Sequence, residues 1–393
     1  MIPDPENLPT PRRRRLIRPG RSSRILIAIA IVVVVVLAGY GLAEYELLNP
    51  PNGEPTLTIY TYPSLLGGVD CSSPVAPAVF GAFESAHHVR LVVECPPGTL
   101  YSTLVEQKNA PGADLVIGLD EITAAQADAA GLLVPYVSLQ LANVPPALVD
   151  ELSADHTVTP YEYGYLAIDY NTSFGTSTGG AIAASAFPNF TQNSSWARQL
   201  LVENPTTDIT GEEFLLWEIA FYSEILHQPW QSWWQAVDPY LPPAAPDWGT
   251  AFDEFTSPPN NPGMVVSYST DPAYAVANGA GGSYNSTVSS WNGSFYGWKT
   301  LYGIGIVRGT THLTLAEEFI DWFLSGTVQN EIPTNEWEYP ANDTIALPGE
   351  YIAAIPPASI VALNDGLPQS SIVANLSSWL NTWQQIENSY APG

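Results

Sequence analysis

The feature that most constrains this chain is an alternation that begins at Leu57. The strand-like run LTIYTY is followed by the helix-like PAVFGAFESAHH, VRLVVE by TLYSTLVEQK, and ADLVIGLD by EITAAQADAAG, where Gly131 supplies a helix stop. Short β-branched runs alternating with amphipathic helices predict an open, mostly parallel sheet covered by helices. Ligands in such sheets bind beyond the carboxyl ends of the strands. The rhythm breaks at VTPYEYGYLAIDYN, a long aromatic strand with no helix close behind it, and again at SFYGWKTLYGIGIVRG, residues 294–309. Between and after these runs the α/β pattern resumes. We therefore expect two α/β lobes joined by two long crossing strands, with lobe 1 formed by residues 56–162 and 300–393 and lobe 2 by 163–299. A cleft between such lobes suits a small ligand.

Charge narrows the setting. Seven arginines crowd residues 12–24, and the apolar run ILIAIAIVVVVVLAGYGLA follows at once. Residues 1–24 read as a basic cytoplasmic tail, 25–46 as a transmembrane anchor, and 47–55 as a linker. A cleaved signal peptide is the alternative, with Gly41 and Ala43 as small residues near its end. The membrane is then a partner through this N-terminal helix, and everything beyond it lies outside the cytoplasm. After Arg24 there are 37 acids against five bases, which repels phosphate backbones and excludes nucleic acid as a partner.

An exported location gives meaning to seven N-x-S/T sequons, at Asn171, Asn189, Asn193, Asn285, Asn292, Asn342 and Asn375. It also favours a disulfide between Cys71 and Cys95, each of which follows a predicted strand. The chain has no P-loop, no G-x-S-x-G, no paired CxxC and no HExxH. Five histidines show no metal-ligand spacing, and the adjacent His87 and His88 read as helix-end cations. No catalytic residue, cofactor or metal is expected.

The enriched class is aromatic, with 12 Trp and 20 Tyr. Those on helices, such as Trp217, Trp233, Trp234 and Trp383, suit packing. Tyr62, Tyr161, Tyr163, Trp248, Tyr268, Tyr274 and Trp337 fall at strand ends and loops, where ring faces would attract a flat cation. Asp120 and Asp208 are candidates for the opposing charge. Trp337 is held in the polar loop EIPTNEWEYP, where Glu336 and Glu338 flank it as either solvated acids or part of an attracting field.

The motifs LTIYTYPS, ADLVIGLDE, PYEYGYLAIDYN, VENPTTDITGEEFLLW, VVSYSTDPAY and EIPTNEWEYPAN occur in the order seen in thiamine-binding proteins of ABC importers, which the chain resembles from about Pro55 onward. The resemblance implies a type 2, two-hinge periplasmic-binding-protein fold, no enzymatic activity, a monomer, and an ABC permease with its ATPase as partners. It places the ligand's aminopyrimidine between Tyr274 and Trp337. It makes the segment Tyr268, Ser269, Thr270, Asp271, Pro272 a ligand-contacting loop and Trp248 a further site aromatic, with Tyr62 and Tyr163 near the cleft.

Two departures stand out. The Asp-Gly contact of the family survives only as Gly98 in CPPGTL. Its Ser-Thr contact falls on Asp208 and Ile209, or on Thr206 and Thr207 if the loop slips. An aspartate there would repel phosphate, so thiamine is expected to be preferred over its phosphate esters. A tryptophan expected near LLGGVDCSS is also missing. A receptor for another flat or cationic solute, such as a thiamine-derived pyrimidine or a polyamine, is the nearest alternative. A surface glycoside hydrolase is the alternative of another class.

Overall fold

The computed structural model describes residues 54–67, 77–257 and 261–390. The expected anchor at 25–46, its tail and most of its linker lie outside these residues, as does Cys71. Among the described residues no helix is long and apolar enough to cross a membrane.

The strands are β1 (Thr56–Tyr60), β2 (Arg90–Glu94), β3 (Leu115–Leu119), β4 (Leu133–Val134), β5 (Val158–Asn171), β6 (Leu200–Leu201), β7 (Met264–Tyr268), β8 (Tyr284–Thr287), β9 (Ser289–Trp291), β10 (Ser294–Gly297), β11 (Lys299–Val307), β12 (Tyr339–Pro340) and β13 (Val361–Ala362). The main sheet runs β2-β1-β3-β11-β5-β7-β6, with β4 beside β11 and both β12 and β8 beside β5. The alternating segments form the parallel set β2, β1 and β3. Strands β11, β5 and β7 then pair antiparallel, so the sheet is mixed.

The crossing is legible in the register of β5. Residues up to Tyr165 pair with β11, and residues from Leu166 pair with β7. One 14-residue strand thus belongs to both lobes. The second crossing is not one strand as expected. Tyr296 and Gly297 join β10 to β13 in a small separate sheet, while Lys299 starts β11 in the main sheet. Between them Trp298 is 2% exposed, and its carbonyl accepts from Leu166 N at 2.9 Å, so the break is fastened to the first crossing.

Each face of the parallel set is covered. Leu115 and Ile117 of β3 point into a cluster with Leu57, Ile59, Phe83 and Phe319. Val116, and Leu119 after the irregularity at Gly118, join Leu104, Ala127 and Leu132 on the other face. Burial on both faces is what the unbroken apolar run LVIGL requires. The second lobe is built on rings: Phe187, Phe214, Trp217 and Trp233 meet mostly edge to face. Fully burying each such side chain stabilises the fold by roughly 1.5–3 kcal/mol or more. The C-terminal helix Gln369–Tyr390, grouped with lobe 1 from the sequence, also packs on this second cluster, with Trp383 5.9 Å from Trp234.

Candidate functional site

Helix starts bring two predicted site acids to the carboxyl ends of strands. Asp120, directly after β3, caps the helix Glu121–Ala129: its Oδ1 accepts from Ile122 N at 2.9 Å and Thr123 N at 2.6 Å. Its Oδ2 is buried and unpartnered. Asp208 caps the helix Ile209–Ala220, accepting from Thr210 N at 2.9 Å and Gly211 N at 3.2 Å, while its Oδ2 accepts from Trp248 N at 3.2 Å. The N–H groups that would welcome an anion at this helix start are already taken by a carboxylate. Burial pushes Asp208 above the ordinary carboxylate range, against the pull of those three N–H bonds.

Five of the predicted aromatics, Tyr163, Trp337, Tyr274, Trp248 and Tyr268, are joined into an arc through Tyr339, Tyr351 and Phe252, while Tyr62 and Tyr161 lie outside it. Tyr163 stacks on Tyr339 at 5.4 Å, Tyr339 meets Tyr351 at 5.5 Å, and Tyr351 lies parallel to Trp337 at 6.4 Å. Trp337 meets Tyr274 at 5.5 Å, Tyr274 meets Phe252 at 6.4 Å, and Phe252 stacks on Trp248 at 5.1 Å. Trp248 reaches Tyr268 at 6.0 Å. Trp337 sits at the end of a tight turn with φ +59°, its N–H donating to Ile332 O at 3.1 Å. Tyr274 projects from the short helix Asp271–Ala277 and is 38% exposed.

The loop between β7 and that helix is fixed from below. Trp248 Nε1 donates to Ser267 Oγ at 2.9 Å, and Ser267 donates in turn to Asp271. Asp271 also accepts from Tyr268 N at 3.1 Å, so it supports the loop, and Pro272 sets the first turn of the helix. Ser269 N donates to Tyr165 O at 2.9 Å, tying the loop to the β5 crossing. The Ser269 and Thr270 hydroxyls are buried without partners, which suits contact with a ligand.

Tyr62 belongs to an adjoining network. Its hydroxyl lies 2.8 Å from that of Tyr161 and 3.2 Å from both Glu162 Oε1 and Glu336 Oε2. Gly118, at φ +103°, leaves room for it, because a Cβ there would come within 2.5 Å of the Tyr62 ring. Glu336 also accepts from Leu66 N. Gly98 and Thr207 are exposed. Gly98 lies in the turn before the helix Leu100–Glu106, and Thr207 donates to Pro246 O at 2.9 Å.

Acidic side chains border the arc. Glu338 is 6% exposed because the next two residues pair with β5, and its carboxylate occupies the space that a side chain at Gly164 would fill. Burial, then Glu162 and Asp271, raise its pKa well above the ordinary value. Burial raises Glu336 likewise and pushes Glu162 up to about 8. Solvated flanking acids, one of the two sequence readings, are thus replaced by desolvated ones. The ion pairs Lys299–Glu151, His312–Asp114 and His87–Glu318 involve none of these groups. Rings beside uncompensated buried acids can hold a flat cation.

The thiamine-binding periplasmic protein of Salmonella typhimurium is 26% identical over 340 residues, covering 86% of this chain and 94% of that protein. That of Escherichia coli K12 is 24% identical over 337 residues, with the same coverages of 86% and 94%. This chain is similar to thiamine-binding periplasmic proteins. Among solved structures, a periplasmic thiamin binding protein superposes with a TM-score of 0.69 at 22% identity, covering 86% of this chain and 97% of that one. The periplasmic binding protein AfuA from Actinobacillus pleuropneumoniae, with bound fructose-6-phosphate, gives 0.68 at 16% identity, covering 86% and 99%. The fold is that of a periplasmic binding protein. No family model matches the chain.

Beyond the positions that the likeness to these relatives suggested, the structure adds Tyr339, Tyr351, Tyr302 and Glu213. Tyr351 donates at 2.9 Å to Glu338 O and at 3.0 Å to Pro333 O, holding the Trp337 turn from both sides. Glu213, the fifth residue of the helix Ile209–Ala220, was not singled out in the sequence. It shares a helical face with Leu216, Trp217 and Ala220, all buried, and that spacing was the available signal.

Proposed function

We propose that this chain is an extracytoplasmic solute-binding protein of an ABC importer and that it captures thiamine by lobe closure. The observation that carries the reading is the arc of rings from Tyr163 to Tyr268, bordered by buried acids, in a chain similar over most of its length to thiamine-binding periplasmic proteins. In this reading Trp337 and Tyr274 hold the aminopyrimidine, Trp248 and the residues Tyr268 to Pro272 line the next part of the site, and Tyr62, Tyr163 and Gly98 border it. A ring sandwiched between two others needs centroids about 7 Å apart, twice the carbon–carbon contact distance. Trp337 and Tyr274 are 5.5 Å apart at 79°, so binding must turn and part them.

The closed form then presents thiamine to a membrane permease driven by its ATPase, and the chain acts as a monomer. Residues 25–46 are proposed to hold it at the membrane, with 1–24 inside and 47–55 as tether. The Cys71–Cys95 bridge is supported by the parallel pairing of β1 and β2, with Tyr60 opposite Glu94. The test of the reading is a titration with thiamine followed by tryptophan fluorescence and calorimetry. Saturable one-to-one binding is expected. Absence of thiamine binding, with a polyamine or an isolated aminopyrimidine binding instead, would move the assignment to another flat or cationic solute.

A further inference from the structure

We propose that Glu213 is the counter-charge for the cationic part of the ligand, and that it sets the preference for a charged ring over an uncharged ring of the same shape. This rests on the thiamine reading above and adds a residue and a selection rule to it.

Glu213 is 1% exposed, and neither of its carboxylate oxygens has a partner. Several other acids nearby already hold hydrogen bonds. Asp208 is spent on three backbone N–H groups, and one oxygen of Asp120 caps its helix. Glu121 accepts from Asn364 Nδ2 at 2.9 Å. The charged groups that act on Glu213 are Glu121 and Asp120 from the start of one helix, Glu212 on its own helix, and Glu338 from the turn after Trp337. All four are acids. Two phenols feel its charge: Tyr302 of β11, and Tyr268, the last ring of the arc, whose hydroxyl lies 3.1 Å from that of Thr210 one turn before Glu213.

A buried carboxyl with no hydrogen bond and only acids around it keeps its proton while the site is empty, and a cation that enters favours the ionised form, the proton leaving to solvent. Among the described residues no group of three or more ligating side chains could hold a metal ion. A compact divalent ion is therefore a poor match. A cation whose charge is spread over a flat ring matches better, because the arc that ends at Tyr268 supplies rings for it to lie against. Glu213 thus faces the ligand through charge, while Trp337 and Tyr274 face it through shape.

The experiment compares two probes by calorimetry on the full-length chain: thiamine, and an isostere in which a neutral thiophene replaces the thiazolium. The wild type is expected to favour thiamine by tenfold or more. Glu213→Gln, nearly isosteric, is expected to weaken thiamine about tenfold and leave the neutral isostere within twofold, so the preference collapses. Equal affinity of the wild type for both probes overturns the inference without any variant, as does a Glu213→Gln protein that discriminates like the wild type. Binding of neither probe by the wild type would instead overturn the thiamine reading itself.

Discussion

The indole of Trp337 stands edge-on to the phenol of Tyr274, with ring centroids 5.5 Å apart and planes at 79°. The two rings come from different parts of the chain, one from the turn before β12 and one from the helix after β7. They meet because each backbone is fixed independently, the first by Tyr351 and the second by Asp271. Whatever parts these rings must work against two rigid supports, which makes the gap between them a property of the lobes.

Removing one ring therefore tests the clamp directly. Trp337→Ala is expected to weaken thiamine at least tenfold, about 1.4 kcal/mol, in a calorimetric titration. Tyr274→Ala should cost a comparable factor. Affinity unchanged in both variants would mean that the ligand lies elsewhere along the arc.

Phosphate discrimination is expected to depend on Asp208. The wild type should bind thiamine more tightly than thiamine pyrophosphate, because a carboxylate already occupies the helix start. Asp208→Ser keeps a capping oxygen and removes the charge, with a stability change within about 1 kcal/mol. The ratio of the two affinities should narrow in that variant. A wild type that binds the pyrophosphate equally well or better would show that the charge has no such role.

Stability should decline toward alkaline pH. Burial pushes Glu162 and Glu212 up to about 8 and raises Glu203, Glu213, Glu218, Glu336 and Glu338 well above 4.5. The folded state then holds protons that the unfolded chain releases near pH 4.5. This contribution is fully present below pH 4.5 and is lost as pH rises through 8. Asp155, lowered by hydrogen bonds from Ser153 and Thr157, acts in the opposite sense in the acid range. Thermal unfolding without ligand should show a fall of at least ~2 kcal/mol between pH 5 and pH 8.5, since one pKa unit is worth ~1.4 kcal/mol. A flat or rising profile would contradict these buried acids.

The sequons should not be equivalent. Asn342 is 2% exposed, and its Nδ2 donates to Leu324 O at 3.1 Å, so the nitrogen that would carry a sugar is inside the protein. Asn189, Asn285, Asn292 and Asn375 are exposed. Peptide mass spectrometry of chain made in a host that glycosylates N-x-S/T sites should find sugar at exposed positions and none at Asn342.

The alternation of β-branched runs and helices made the parallel set readable, since a strand buried on both faces can hardly look like anything else. Charge was harder to place. Asp120 and Asp208 were candidates for the opposing charge, but a ligand contact and a helix cap use the same letter at the same place, and both are caps. The fate of Glu338 depended on Tyr339 and Pro340 pairing with β5, more than 170 residues earlier, and no local pattern encodes that register. The break at Trp298 was hidden for a similar reason: it depends on β13, which follows much later. Glu213 alone could have been found locally, from the company it keeps on its helix.

The left-handed backbone of Trp337 has its own consequence. At φ +59° an L-residue is held at a cost of about 1–3 kcal/mol, which glycine would avoid. Selection for folding alone would favour glycine at this position. A tryptophan there marks a conflict between robustness and recognition, and a programme of stabilising substitutions that optimised only melting temperature would remove the ring on which capture is proposed to depend.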